Sequence, residues 1–251
     1  MLKVLEGKVA LITGGARGIG RAAALKLAKS GVDIVIGYYN SSDEASKLIS
    51  EINDLGQQAY AFQVNVADEQ SVKELFLGFC EHFAKLDILV SNAASGVLKP
   101  TLQMSTKHWR WCMETNALAL NHLTREAKTL MGPGGRIIAL SSLGAERAIP
   151  NYGFIGASKA ALEALVRSLS IEMAEYGVTV NTVSAGVVDT DALKYFPNRD
   201  QLLSEYQAHA LADRPLVPDD VANSVYLLCL PEADMIRGHT LFVDAGYSIV
   251  G

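Results

Sequence analysis

Apolar residues in this chain fall in short, nearly unbroken runs. These alternate with longer stretches in which apolar positions recur every three or four residues. The runs are KVALIT (8–13), DIVIG (33–37), AYAFQV (59–64), DILVS (87–91), RIIALS (136–141), VTVNTV (178–183) and TLFV (240–243). Their β-branched, continuous character predicts strands covered on both faces. Between them, Ile19–Ser30, Ser42–Leu55 and Glu69–Phe83 show the spacing of amphipathic helices. Strands alternating with helices imply right-handed crossovers, and so an α/β fold with a seven-stranded parallel sheet, doubly wound and covered by helices on both faces. With no repeat, low-complexity tract or linker, residues 1–251 form a single domain. One irregular stretch, 191–218, separates the last two strands. Ligands of such sheets sit outside the carboxyl ends of the strands, so this insertion is a substrate-lid candidate.

Composition sharpens the picture. The 251 residues are 49% hydrophobic and 20% charged, which fits a globular chain with a sizeable core. No apolar run reaches the roughly 18 residues of a spanning helix, and no signal-peptide pattern precedes the first strand. Cys80, Cys112 and Cys229 are widely spaced and lack metal-ligand spacing, so reduced thiols and a cytoplasmic setting are expected. A net charge of −5 argues against a broad nucleic-acid footprint.

The first chemistry-bearing motif is ITGGARGIG, directly after the first strand and opening the first helix. Gly14, Gly18 and Gly20, with Ile19 between the last two, allow a tight turn whose backbone approaches a pyrophosphate at a helix N-terminus. The expected architecture is therefore of the Rossmann type. The second strand ends in GYYNSS, with no acid to repel a 2′-phosphate, and Arg17 in the glycine loop offers a guanidinium to such a dianion. NADPH is the expected cofactor; a merely solvated loop cation is the plainer account of Arg17.

The spacing T-G-x-x-x-G-x-G resembles the short-chain dehydrogenase/reductase family, and the resemblance runs along nearly the whole chain. It is carried by Thr13 to Gly20, NV at 65–66, SNAA at 91–94, Asn116, SS at 141–142, Lys159, Asn181, AGVVDT at 185–190 and IRGHTLFVDAG at 236–246. It implies that Asn65 and Val66 flank an adenine, that Asn92 lies near the adenosine ribose, and that Gly186, Val188 and Thr190 belong to the cofactor site, the last two meeting the nicotinamide amide. Ser91, Ala94 and Ala185 depart mildly from the usual pattern.

A larger departure is NYGFIGASK (151–159). The family's proton-handling tyrosine stands four residues before the lysine; here that position is Ile155, and Tyr152 stands seven before Lys159. Ser142 is in its usual place. Four residues turn a helix about 400° and seven about 700°, so Tyr152 returns to nearly the same face, roughly 4.5 Å further along. This requires helical geometry from near Asn151, and Pro150 is compatible with a start there. In reducing an α,β-unsaturated thioester, hydride lands on the β-carbon and charge collects on an oxygen two carbons away. A donor moved along the helix suits that distance.

The Tyr-x6-Lys spacing, with NAASGVLKPT, KHWRW (107–111), SSLGA, DTDALKYFPNR and ADMIRG, is similar to the bacterial enoyl-acyl-carrier-protein reductases of type III. That resemblance implies NADPH-dependent reduction of trans-2-enoyl thioesters in fatty-acid elongation. Tyr152 would stabilise the enolate, and Lys159 would bind the nicotinamide ribose and bias the phenol. Ser142 would take part in catalysis or only shape the pocket, and Asn116 would steady a helix and a relay water or serve structure alone. Two other readings stand: a carbonyl reductase in which Tyr152 swings into the usual role, and a silent nucleotide-binding protein.

Trp109 and Trp111 either wall an acyl pocket or pack within the fold, and Tyr195 and Phe196 on the insertion either touch an acyl chain or dock on their own domain. The helix carrying ALEALVRSL (161–169) is expected to pack against a second subunit, as in a homodimer or homotetramer. Docking of an acidic acyl-carrier protein needs a local basic rim, for which Lys99, Lys107, Arg110, Lys194 and Arg199 are the candidates.

Overall fold

The computed structural model describes residues 3–190, 193 and 199–250. Seven strands run β1 (Val9–Thr13), β2 (Asp33–Tyr38), β3 (Ala59–Gln63), β4 (Ile88–Ser91), β5 (Arg136–Ser142), β6 (Thr179–Ala185) and β7 (Thr240–Val243). All neighbours pair in parallel, in the order β3-β2-β1-β4-β5-β6-β7. The crossovers carry α1 (Gly18–Lys29), α2 (Ser42–Asp54), α3 (Glu69–Cys80), α4 (Thr106–Met113), α5 (Ala119–Ala127), α6 (Gly153–Glu172), α7 (Arg199–His209) and α8 (Pro218–Cys229). The doubly wound architecture is the one the periodicity predicts, and the strand limits differ from the expected ones by no more than two residues at either end.

Why the strands read as continuous apolar runs is visible in the packing. Ala10 and Ile12 of β1 join Leu27 of α1, Leu48 of α2 and Val225 of α8 in one core. Val9 and Leu11 join Phe79 of α3, Leu123 of α5 and Val166 of α6 in the other. Both faces are covered, so polar alternation has no place to appear. Each fully buried Leu or Ile contributes roughly 1.5–3 kcal/mol.

Local chemistry sets the helix ends. Asp68 caps α3 by accepting from the backbone N–H groups of Gln70 and Ser71. Pro218 opens α8, where a missing N–H costs nothing. Between α4 and α5 the chain passes through a π turn, Glu114–Leu118, which carries Asn116. Within the expected lid, residues 199–209 are regular helix rather than loop; Lys194, Tyr195 and Phe196 lie outside the described residues. Among the described residues, no helix is long and apolar enough to cross a membrane.

Candidate active site

Strand order reverses direction between β1 and β4, which opens a crevice at the carboxyl ends of the strands. A cleft of about 1890 Å³ occupies it, reaching from the glycine loop past the ends of β2, β4, β5 and β6 to α4 and α7.

At one end, Gly14 and Gly18 hold φ of +63° and +52°, conformations that favour glycine. A Cβ on Gly14 would come within 2.9 Å of Asn92 Nδ2 and 3.0 Å of Ala93 Cα. Glycine at position 14 thus lets the loop pack directly on the segment after β4, and the N-terminus of α1 that follows suits a pyrophosphate. Gly14, Arg17, Gly18, Ile19, Asn65, Val66, Asn92, Gly186, Val188 and Thr190 all line the cleft. Gly20 does not. Its role is packing: a Cβ there would sit 2.3 Å from the carbonyl oxygen of Gly14. Asn92 is largely spent on the same loop, donating from Nδ2 to Thr13 O and Gly14 O, each at 3.0 Å. Arg17 is exposed beside Tyr39, Asn40 and Ser41, with no ion-pair partner among the described residues. Among those residues, no cluster of three His, Cys, Asp or Glu is arranged to hold a metal.

At the other end the cleft is lined by Ser142, Tyr152, Ile155 and Lys159. Helical geometry begins at Gly153, later than the seven-residue spacing argument requires. Asn151 takes a left-handed φ of +63°, which asparagine tolerates but no helix contains, and Tyr152 is the N-cap at φ −108° and ψ 5°. A turn closed by Tyr152 N–H to Ile149 O delivers the side chain to the cleft instead. The ring lies against Gly144, where a Cβ would meet its Cδ1 and Cε1 at 2.5 Å, and the phenol oxygen stands 3.2 Å from Ser142 Oγ. Burial is the main cause pushing the phenol pKa up, opposed by the Ser142 contact. At neutral pH this hydroxyl carries its proton.

Lys159 is buried and donates from Nζ to Leu140 O at 2.7 Å. Desolvation lowers its pKa to about 8, and Glu163 opposes the fall. For Tyr152 the largest effect is its own burial. Ile155 packs into the floor, where a Cβ on Gly96 would come within 2.4 Å of its Cγ1. Asn116, from the π turn, accepts from Ser95 N–H and donates to Ser95 O and Ser158 Oγ, all within 2.9 Å. Its side chain knits the loop after β4 to α6.

Of the basic residues expected at the mouth, Lys107 and Arg110 line the cleft and Lys99 does not. Arg199 forks onto Asp189 at 2.7 and 2.8 Å and is committed there. Trp111 lines the cleft, whereas Trp109 packs edge-on against Phe154. Two residues escaped the sequence reading. Arg147 lines the mouth on a loop with no motif. Glu163, a buried acid on a core-facing helical position four residues after Lys159, carried a signal that spacing alone reveals.

Residues 14–248 match the family model described as "Enoyl-(Acyl carrier protein) reductase". The chain is 37% identical over 245 residues to 1-cyclohexenylcarbonyl-CoA reductase of Streptomyces collinus, covering 97% of this chain and 88% of that one. It is 33% identical to hydroxynaphthalene reductase of Aspergillus fumigatus, covering 93% and 90%. A short-chain dehydrogenase of Burkholderia cenocepacia, solved in complex with NADP, superposes with a TM-score of 0.90 at 32% identity over 98% of this chain and 99% of that one. The chain belongs to the short-chain dehydrogenase/reductase family of oxidoreductases.

Proposed function

We propose that the protein is an NADPH-dependent reductase of trans-2-enoyl thioesters borne by an acyl-carrier protein, acting in fatty-acid elongation. The observation that carries the reading is the exchange of roles at the helix start: the side chain at position 155 is an isoleucine in the cleft floor, which can move no proton, while the phenol of Tyr152 faces the cleft beside Ser142. The Streptomyces relative supports it, since its name describes a thioester with a double bond next to the carbonyl.

Gly14, Gly18 and Ile19 would hold the pyrophosphate, Arg17 the 2′-phosphate, Asn65 and Val66 the adenine, and Val188 and Thr190 the nicotinamide amide, with Gly186 giving the segment room. Bound NADPH supplies a hydride to the β-carbon. Tyr152, whose pKa burial raises further above neutrality, would donate a hydrogen bond from its hydroxyl to the thioester oxygen where charge collects, and a proton from solvent reaching the α-carbon would complete the saturated thioester. Ser142 orients that hydroxyl from 3.2 Å. Lys159 presents an ammonium to the nicotinamide ribose, and Asn116 keeps the loop after β4 and α6 in register. The carrier protein docks on Lys107 and Arg110. Reversing both charges lowers the rate on carrier-bound substrate and leaves that on a short pantetheine thioester unchanged; equal loss on both would remove the docking role.

The deciding experiment follows NADPH consumption with crotonyl and acetoacetyl thioesters. Turnover of the first and not the second is expected. Tyr152→Phe should lower the crotonyl rate by about 10²–10⁴-fold while NADPH still binds. A carbonyl reductase is the second reading, favoured by the retained Ser142–Tyr152 pair and by the hydroxynaphthalene relative; turnover of acetoacetyl thioester alone would establish it.

A further inference from the structure

We infer that Glu163 is a positioning residue for Lys159: it supplies the buried negative charge that keeps Lys159 an ammonium, and it clamps the end of β5 from which Lys159 and Tyr152 take their hydrogen bonds. The inference rests on the proposed role of Lys159 but uses no enoyl substrate in its test.

Glu163 is 6% exposed on the sheet-facing side of α6, one turn after Lys159. Positions i and i+4 bring Cβ atoms to about 5–6 Å. A buried carboxylate is costly unless it is paired or well hydrogen-bonded. Its oxygens accept from Ser141 Oγ at 2.5 Å and Thr240 Oγ1 at 3.4 Å, and among the described residues it forms no direct ion pair. Ser141 is the central residue of three. Leu140 before it offers the carbonyl that holds Lys159 Nζ, and Ser142 after it meets the phenol of Tyr152. One carboxylate thus fixes the strand between both contacts.

The surroundings leave Glu163 as the charge that matters. β6 and β7 contain no charged residue, and the one on β5, Arg136, turns to the opposite layer and pairs with Asp234. Beside Ser141, register puts Ser184 on the same sheet face, and Ser184 Oγ has no hydrogen-bond partner among the described residues. Titratable groups that share the cleft wall with the lysine include Tyr152, Glu114 of the π turn, Lys107 and Arg110 of α4, and Arg147 at the mouth; Arg167, one turn after Glu163 on α6, is exposed. His122 of α5 acts on Glu69 of α3 instead. Glu163 is the charged group that raises the pKa of Lys159 against the desolvation that lowers it.

The test follows the Lys159 Cε resonance in the 13C-lysine-labelled full chain across pH, assigned with Lys159→Met. The wild-type midpoint is expected near pH 8. Glu163→Gln keeps an acceptor for Ser141 and removes the charge, and should move the midpoint down by about one pH unit. Ser141→Ala breaks the clamp and keeps the charge, and should leave the midpoint near the wild-type value. If Glu163→Gln does not fold, Glu163→Asp carries the test, with a smaller downward shift from the withdrawn charge. An unmoved midpoint on changing Glu163, or an equal shift on changing Ser141, overturns the inference. Failure of enoyl turnover would instead touch only the proposed reaction.

Discussion

Lys159 spends burial energy on staying charged, and that has two consequences of opposite sign. Its folded-state pKa of about 8 lies below the ordinary lysine value, so the amine becomes neutral as pH rises through 8. NADPH affinity, followed by nucleotide fluorescence, should be flat below pH 8 and weaken above it; Lys159→Met should bind weakly at every pH. Stability runs the other way. The unfolded chain holds this proton more tightly than the folded one, so this group makes unfolding harder as pH climbs from about 8 toward the unfolded value. Arg17 is simpler: an exposed guanidinium lining the cleft, with no ion-pair partner among the described residues. Arg17→Ala should weaken NADPH by about tenfold or more and leave NADH nearly unchanged, since a charge-assisted hydrogen bond contributes roughly 1.5–3 kcal/mol. Equal loss for both nucleotides would assign Arg17 no part in choosing between them.

At the scale of elements, α1, the glycine loop and the loop after β4 meet closely. Gly20 on α1 touches the Gly14 carbonyl, and Asn92 after β4 braces the same turn. Gly20→Ala drives a Cβ into backbone that cannot swing aside, and should lower both Tm and NADPH affinity. An overpacked contact of this kind costs about 1–3 kcal/mol. The sheet, the glycine loop and the placement of Lys159 were legible in the sequence because each depends on near neighbours: continuous apolar runs, a glycine pattern, a helical period. The start of α6 was not, because one left-handed residue, Asn151, moves Tyr152 out of the helix, and asparagine is common in many other settings. The π turn that carries Asn116 left no mark either. Glu163 was legible in principle, as an acid where periodicity demands an apolar side chain, yet its partners come from strands 22 and 77 residues away.

For the whole molecule, α6 has one face in the core and one toward solvent. Leu162, Val166 and Leu169 enter the core, while Ala160, Ala164, Ser168 and Ile171 run along the outer side, with Ile171 79% exposed. A second copy covering this stripe is the expected arrangement in solution. Mass photometry should give a multiple of the 26.9 kDa chain, and Ile171→Glu should shift the population toward the single chain. A monomer at micromolar concentration in the unmodified protein would rule that surface out. Finally, the backbone carbonyl of Asn151 accepts from Lys99 N–H at 3.1 Å. The residue before Tyr152 is thereby stitched to the segment that starts at Asn92. A nucleotide pressing on that segment would tug the tyrosine's backbone through one amide, so the order in which the two ligands arrive should leave a kinetic imprint.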